Sequence, residues 1–230
     1  MYEFKQSAQI SIPKLALPFQ DLQQDGWQTL YAEDLSYGNC FNYRLNGFLR
    51  QPTHHYMRPF FLHSDKSPNV ITGHCYWDKR WSSVLWRYGL QFLTRYPKNT
   101  RKFHFAKIGE GQHEDLNYLK QLDESFLGHL KAINNAGALN RSILIVFGDH
   151  GFRTGSPKFR ATQQGKLEER LPFFSVSAPE GWRQAHPKAW ANLRANAEGL
   201  TSHFDLHATV RHLHKWRAPI DIAPPLNRSI

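Results

Sequence analysis

Short apolar runs that end in polar clusters recur along the chain, and four of them read as buried strands. Gln28-Thr29-Leu30-Tyr31-Ala32 enters from the turn Asp25-Gly26 and leaves into Glu33-Asp34. Residues 102–108, KFHFAKI, leave into the glycine-rich Gly109-Glu110-Gly111-Gln112-His113. Residues 142–147, SILIVF, leave into Gly148-Asp149-His150-Gly151. The fourth run is 171–177, LPFFSVS, where the missing N–H of Pro172 places that residue at the strand start or on an edge. Between the second and third runs, Leu116, Leu119, Leu122, Phe126, Leu127, Leu130 and Ile133 recur at helical spacing until Asn135 and Gly137 end the pattern. The order predicts a strand–helix–strand core over 102–177. SILIVF, apolar without alternation, is predicted as a central, parallel strand. Further helices are predicted over Trp81 to Phe92 and over about Asp205 to Trp216, the latter capped by Ser202. The stretch 38–69, rich in aromatics, His and Pro, reads as a long irregular excursion.

In open α/β sheets ligands bind outside the carboxyl ends of the strands. Three strands deliver polar groups there: Glu33 and Asp34, then His113, then Asp149 and His150. If the strands are parallel, these side chains converge on one rim. Gly148-Asp149-His150-Gly151 is the sharpest local signal, since a carboxylate beside an imidazole on a glycine-flanked turn can hold a divalent metal. The same tetrapeptide also serves as a hydrogen-bonded cap. His113 reads either as a helix-start residue bonded to backbone or as a group that touches an anion or a metal. The segment from Phe152 to Arg170 carries five cations and no hydrophobic period. It is expected to be a loop over the same rim, where Arg153, Arg160 and Lys166 can neutralise a phosphate or sulfate, while Glu168, Glu169 and Arg170 form structural pairs.

Composition narrows the classes. A chain of 230 residues has the length of one large domain or two small ones, and 40% hydrophobic with 14% aromatic residues excludes a disordered chain. No apolar run reaches the roughly 18 to 20 residues of a spanning helix. The opening MYEFKQSAQISIPK lacks the basic and apolar regions of a signal peptide. Two cysteines, Cys40 and Cys75, are too few for a disulfide framework or a four-thiolate zinc site. The net charge of +10 favours anionic partners. The basic residues are scattered, however, with no zinc-finger spacing and no RNA-recognition signature, so specific nucleic-acid binding is not expected. A solvated basic surface and a polyanion-binding groove are the two remaining readings of the charge.

Several segments together resemble the alkaline phosphatase/sulfatase superfamily, and within it an animal branch known as domain of unknown function 229. They are GWQTLYAED (26–34), FNYRLNGF (41–48), QPTHHYMRPF (51–60), HEDLN (113–117), FGDHGFR (147–153), TQQGKLEERLPFFSV (162–176) and LTSHFDLHATV (200–210). They cover nearly the whole chain. The resemblance implies an α/β, three-layer sandwich with a mostly parallel central sheet and a metal-dependent hydrolase of phosphate or sulfate esters. Asp149 and His150 match the superfamily's metal ligands, for zinc, calcium, manganese or magnesium. His113, Lys166, Arg153 and Arg160 would hold the anion. Residues 200–216 would form the closing helix, with His203 and His207 structural.

Two departures stand out. His54 follows Pro52-Thr53 where the family has Asp, and the superfamily's first strand and its nucleophile have no counterpart in the chain. The expectation is therefore the C-terminal part of a catalytic domain, inactive by itself. A non-catalytic basic module for sulfated polysaccharide or another polyanion is the alternative. By resemblance the protein belongs to the secretory pathway or the extracellular space, where Cys40 and Cys75 would either pair or remain two free thiols.

Overall fold

The computed structural model describes residues 18–215, except 39, 44, 46, 67–69, 72–74, 77, 111–116 and 154. The fold is mixed α/β with a three-stranded parallel sheet. The chain divides into two compact units between Ala136 and Gly137, and each is described by itself.

The first unit is built around β1, Gln28–Glu33. It lies between β2, His55–Tyr56, and β6, Lys102–Lys107, and runs parallel to both. Five of its six residues are buried, so the strand is covered on both faces, and the polar Thr29 and Glu33 are enclosed with the apolar residues. Alternate residues serve opposite faces. On one face Tyr31 packs against Phe19 of α1 (Pro18–Gln24), Tyr56 and Phe105, with ring centroids 5.3 to 5.6 Å apart. On the other face Leu30 and Ala32 join Met57, Phe61 of α2 (Arg58–Ser64), and Trp81, Leu85 and Phe92 of α3 (Trp81–Arg95). Helices thus cover both faces, giving the α/β/α layering expected from the resemblance. Each large apolar side chain buried here stabilises the unit by about 1.5–3 kcal/mol. The helix α4, Tyr118–Asn135, packs on α3 through Trp86, whose ring contacts Phe126 and stacks on His129. It ends where the sequence predicts, with Gly137 in the left-handed region at φ +72°.

The excursion 38–69 is only partly irregular, since it contains β2 and α2. Pro59 sits in the first turn of α2, where a missing N–H costs nothing. His55 is clamped between the hydroxyls of Tyr88 and Tyr96 of α3 and its flank, each 2.7 Å from a ring nitrogen. Three further two-residue strands, β3 (Val70–Ile71), β4 (Cys75–Tyr76) and β5 (Lys79–Arg80), pair antiparallel in that order. No disulfide joins Cys40 and Cys75.

The second unit departs further from expectation. Its strand β7, Leu144–Phe147, pairs with β8, Phe174–Ser177, and the pairing is antiparallel rather than parallel. An apolar run reports burial and does not encode the direction of its neighbour. The unit division also places α4 in the first unit and β7 in the second. The expected loop over 152–170 is largely two helices, α5 (Pro157–Ala161) and α6 (Gln163–Arg170). Three more follow: α7 (Glu180–Ala185), α8 (Pro187–Asn196) and α9 (His203–His214). Ser202 caps α9 as predicted, with the Asp205 carboxylate accepting from its backbone N–H and its hydroxyl, both at 2.8 Å.

The first unit carries neutral imidazoles in its core. His104 on β6 lies against Gly89 of α3, and its Nε2 is buried without a hydrogen-bond partner. Burial pushes His104 down to about 4, with His129 adding to the effect, and burial pushes His129 down to about 4 as well. Both then contribute stability that is present above their ordinary value of 6.5 and is lost as the pH falls towards 4. Asp34, pushed up to about 6 by burial, works in the opposite direction between 3.8 and 6 and offsets part of this loss. The protein is therefore expected to melt at a lower temperature at pH 5 than at pH 7. His104→Leu removes an unpaired polar atom and should shrink that difference without lowering the melting temperature at pH 7. Equal pH shifts for wild type and variant in scanning calorimetry would refute the assignment.

Candidate functional site

The site begins at the end of β7. Gly148 donates its N–H to the Phe173 carbonyl at 2.9 Å, and its own carbonyl accepts from His203 Nε2 at 2.9 Å. The His203 ring also contacts Phe147, with centroids 6.0 Å apart. Three residues on, Gly151 donates its N–H to the Glu169 carbonyl at 2.9 Å. The turn is thus fastened at both ends, to the approach of β8 and to the C-terminal half of α6. Between these anchors, His150 donates its N–H to Asp149 Oδ1 at 3.1 Å. Its Nδ1 lies 2.8 Å from the Gly151 carbonyl.

That last contact fixes the tautomer. A carbonyl only accepts, so Nδ1 carries the proton and Nε2 carries the lone pair of the neutral ring. Nε2 lies 4.0 Å from Asp149 Oδ2, and the Asp149 side chain is 52% exposed. The pair offers one carboxylate oxygen and one imidazole nitrogen on a single turn. A ring whose far N–H is held by a backbone carbonyl is the usual orientation of a metal-ligating histidine. The donor set therefore fits a divalent ion such as zinc or manganese. Among the described residues, no group of three or more His, Cys, Asp or Glu side chains is arranged to hold a metal. Asp149 and His150 thus bring two groups of metal-ligand type to one turn, and a metal held there would act as a Lewis acid.

Arg153 lies two residues beyond Gly151, Arg160 on α5 and Lys166 on α6, and all three are exposed. The helices start from local capping. The Ser156 hydroxyl accepts the Phe159 N–H at 3.3 Å, and the Thr162 hydroxyl accepts the Gly165 N–H at 3.0 Å. Ser-Pro at 156–157 and Thr162 were the signals that could have revealed them. Glu168 accepts from Gln164 at 2.7 Å rather than pairing with Arg170. His113 lies outside the described residues.

Glu33 and Asp34 were expected on the rim, and both are instead buried in the first unit. Asp34 accepts the backbone N–H groups of Gly109 (2.6 Å) and Glu110 (3.0 Å). Glu110 accepts from Arg80 at 3.0 Å and from the Ser82 N–H at 3.2 Å, at the start of α3. Burial raises the Glu33 carboxyl, and the nearby Tyr31 hydroxyl and Cys40 pull it partly back. The residue that sequence reasoning undervalued is His203. Its place as the first residue of α9 follows from the Ser202–Asp205 cap, but its contact with Gly148, 55 positions away, has no local signal.

A family model described as Protein of unknown function (DUF229) matches residues 2–222. The chain belongs to the DUF229 family. No curated protein and no solved structure matches it. The match to DUF229 spans both units and includes the Asp149–His150 turn and the helices after it.

The turn's anchoring is testable through Gly151. A Cβ there would overlap the Glu168 carbonyl oxygen, which is backbone and cannot swing aside. Gly151→Ala should lower stability by about 1–3 kcal/mol, as expected for overpacking against fixed atoms. Denaturant unfolding measures this, and a loss under about 0.5 kcal/mol would show that α6 is not fastened to the turn.

Proposed function

We propose that Asp149 and His150 are divalent-metal ligands in a phosphate or sulfate ester hydrolase-like protein of the alkaline phosphatase/sulfatase type. In this reading Lys166, Arg153, Arg160 and His113 serve the ester anion. The observation that supports it is the pairing of Asp149 Oδ2 with the lone-pair nitrogen of His150 at 4.0 Å on a turn fastened at both ends. The α/β/α layering of the first unit agrees with the fold that the superfamily would require. No Ser, Thr or Cys of the chain stands in the context of the superfamily's nucleophile, so the 230 residues alone are proposed to bind without turning over. The secretory pathway or extracellular space remains the proposed location.

Calorimetric titration with zinc or manganese tests the metal. The expected result is weak binding that disappears in Asp149→Ala and in His150→Ala. Binding unchanged in both variants would overturn the assignment. Turnover of phosphate or sulfate monoesters should equal the protein-free rate, and turnover abolished by Asp149→Ala would overturn the non-catalytic part.

The exposure of Arg153, Lys158, Arg160 and Lys166 favours a second reading, a basic module for sulfated polysaccharide. Heparin should then bind without metal and weaken steeply with salt. Charge reversal at Arg160 and Lys166 should reduce the log–log salt slope by about two. A slope unchanged by both reversals would exclude these helices as the polyanion site.

A further inference from the structure

The surface around the Asp149–His150 turn is not only basic. On α6 successive residues rotate by about 100°. Lys166, Leu167 and Arg170 therefore share one face, with Gly165 buried on the other side against Phe159. Glu168 and Glu169 fall away from that face, with Glu168 held by Gln164 and the Glu169 carbonyl turned to Gly151. Leu171 continues the exposed face, one turn beyond Leu167, to whose carbonyl its N–H is bonded at 2.9 Å. Leu167 is 44% exposed and Leu171 60%.

The next residues bring the same character to the turn itself. Pro172 packs against Gly148, and Phe173, whose carbonyl holds the Gly148 N–H, is 67% exposed. On the other flank His203 holds the Gly148 carbonyl, and the adjoining Phe204 is 87% exposed. Of the two residues that anchor Gly148, Phe173 is itself an exposed phenyl and His203 is followed by one, and a Leu–Leu row flanked by Lys and Arg leads up to Phe173. Exposed single apolar residues are ordinary on protein surfaces, but large ones gathered at one site and bordered by cations are not. A sulfated polysaccharide is held through the cations and gains nothing from the leucyl groups. An anionic amphiphile uses both.

We propose that this face of the second unit docks on an anionic lipid surface. Leu171, Phe173 and Phe204 enter the boundary between headgroups and acyl chains, while Lys166 and Arg170 meet headgroup phosphates and carboxylates. Such docking sets the Asp149–His150 turn against the headgroup layer. It goes beyond the hydrolase reading and does not require it, because neither metal ligand takes part.

Co-sedimentation with vesicles tests it on the full chain, without added metal. One set of vesicles is phosphatidylcholine and the other contains about one-third phosphatidylserine. The protein should sediment with the anionic vesicles and not with the neutral ones. The double variant Phe173→Ser/Phe204→Ser should bind the anionic vesicles at least tenfold less while retaining wild-type affinity for heparin. Lys166→Glu/Arg170→Glu should weaken vesicle binding by a similar factor, and Asp149→Ala should leave it unchanged. Since all four substituted side chains on the face are exposed, matching melting temperatures are expected. Binding to both kinds of vesicle alike, or anionic binding indifferent to the two phenylalanines, would overturn the proposal. So would concentration-dependent self-association in lipid-free sedimentation that is lost in the phenylalanine variant, since the face would then join two copies of the chain.

Discussion

The carboxylate of Asp34 ties the end of β1 to the chain leaving β6, and much of the first unit follows from that bond. Parallel strands do not share a hairpin, so something other than covalent connection must hold their ends in register. Asp34 does this by accepting two consecutive N–H groups, from Gly109 and Glu110. The tie places Glu110 where its own carboxylate meets the N–H of Ser82 in the first turn of α3, and Arg80. An acid at a helix N-terminus also complements the helix dipole. The orientation of α3 is thereby linked to the sheet, and α3 supplies Trp81, Leu85 and Phe92 to the core. The cost is visible at Asp34, where burial pushes the carboxyl up even though two backbone donors favour the ionised form.

The second unit solves a smaller problem by the same means. Its two strands of four residues are too short to stabilise themselves, and an isolated ladder of that size is marginal in water. The turn after β7 compensates through backbone bonds to both neighbours, at Gly148 and Gly151. Glycine at 151 is required by the close approach of the Glu168 carbonyl. Asp149 and His150 are thereby carried between two fixed points.

How legible all this was depends on the range of the interactions. The strands β1 and β6, the helices α3 and α4 and the cap at Ser202 were readable because periodicity and capping act over a few residues. The antiparallel partner of β7 was not, since the apolar run Leu144–Phe147 suits either direction. The helices α5 and α6 were missed because their apolar content is low, although Ser156-Pro157 and Thr162 marked their starts. The burial of Glu33 and Asp34 contradicted their expected place on a rim, since a polar pair after a strand looks the same whether it meets solvent or backbone N–H groups. Of the candidate site, the Asp149–His150 pair was readable in outline, but the His150 tautomer and the His203 contact depend on geometry.

Burial separates the acids at the strand ends into two kinds. Asp34 and Glu110 are almost wholly enclosed and have their oxygens engaged by backbone donors and Arg80, so they act on the architecture. Asp149 keeps half of its side chain in solvent while one oxygen accepts the His150 N–H. A carboxylate that stays hydrated can exchange water for a cation without first breaking the fold, whereas Asp34 could not leave its two donors without unpinning β6. The same distinction applies to the positive charges. Arg80 is committed to Glu110 and Gln121, whereas Lys166, Arg160 and Arg153 stand exposed on or just before the helices joined to the turn. Within the second unit, cations thus lie close in the chain to a half-exposed carboxylate beside an imidazole, while Arg80 in the first unit is engaged by a buried acid.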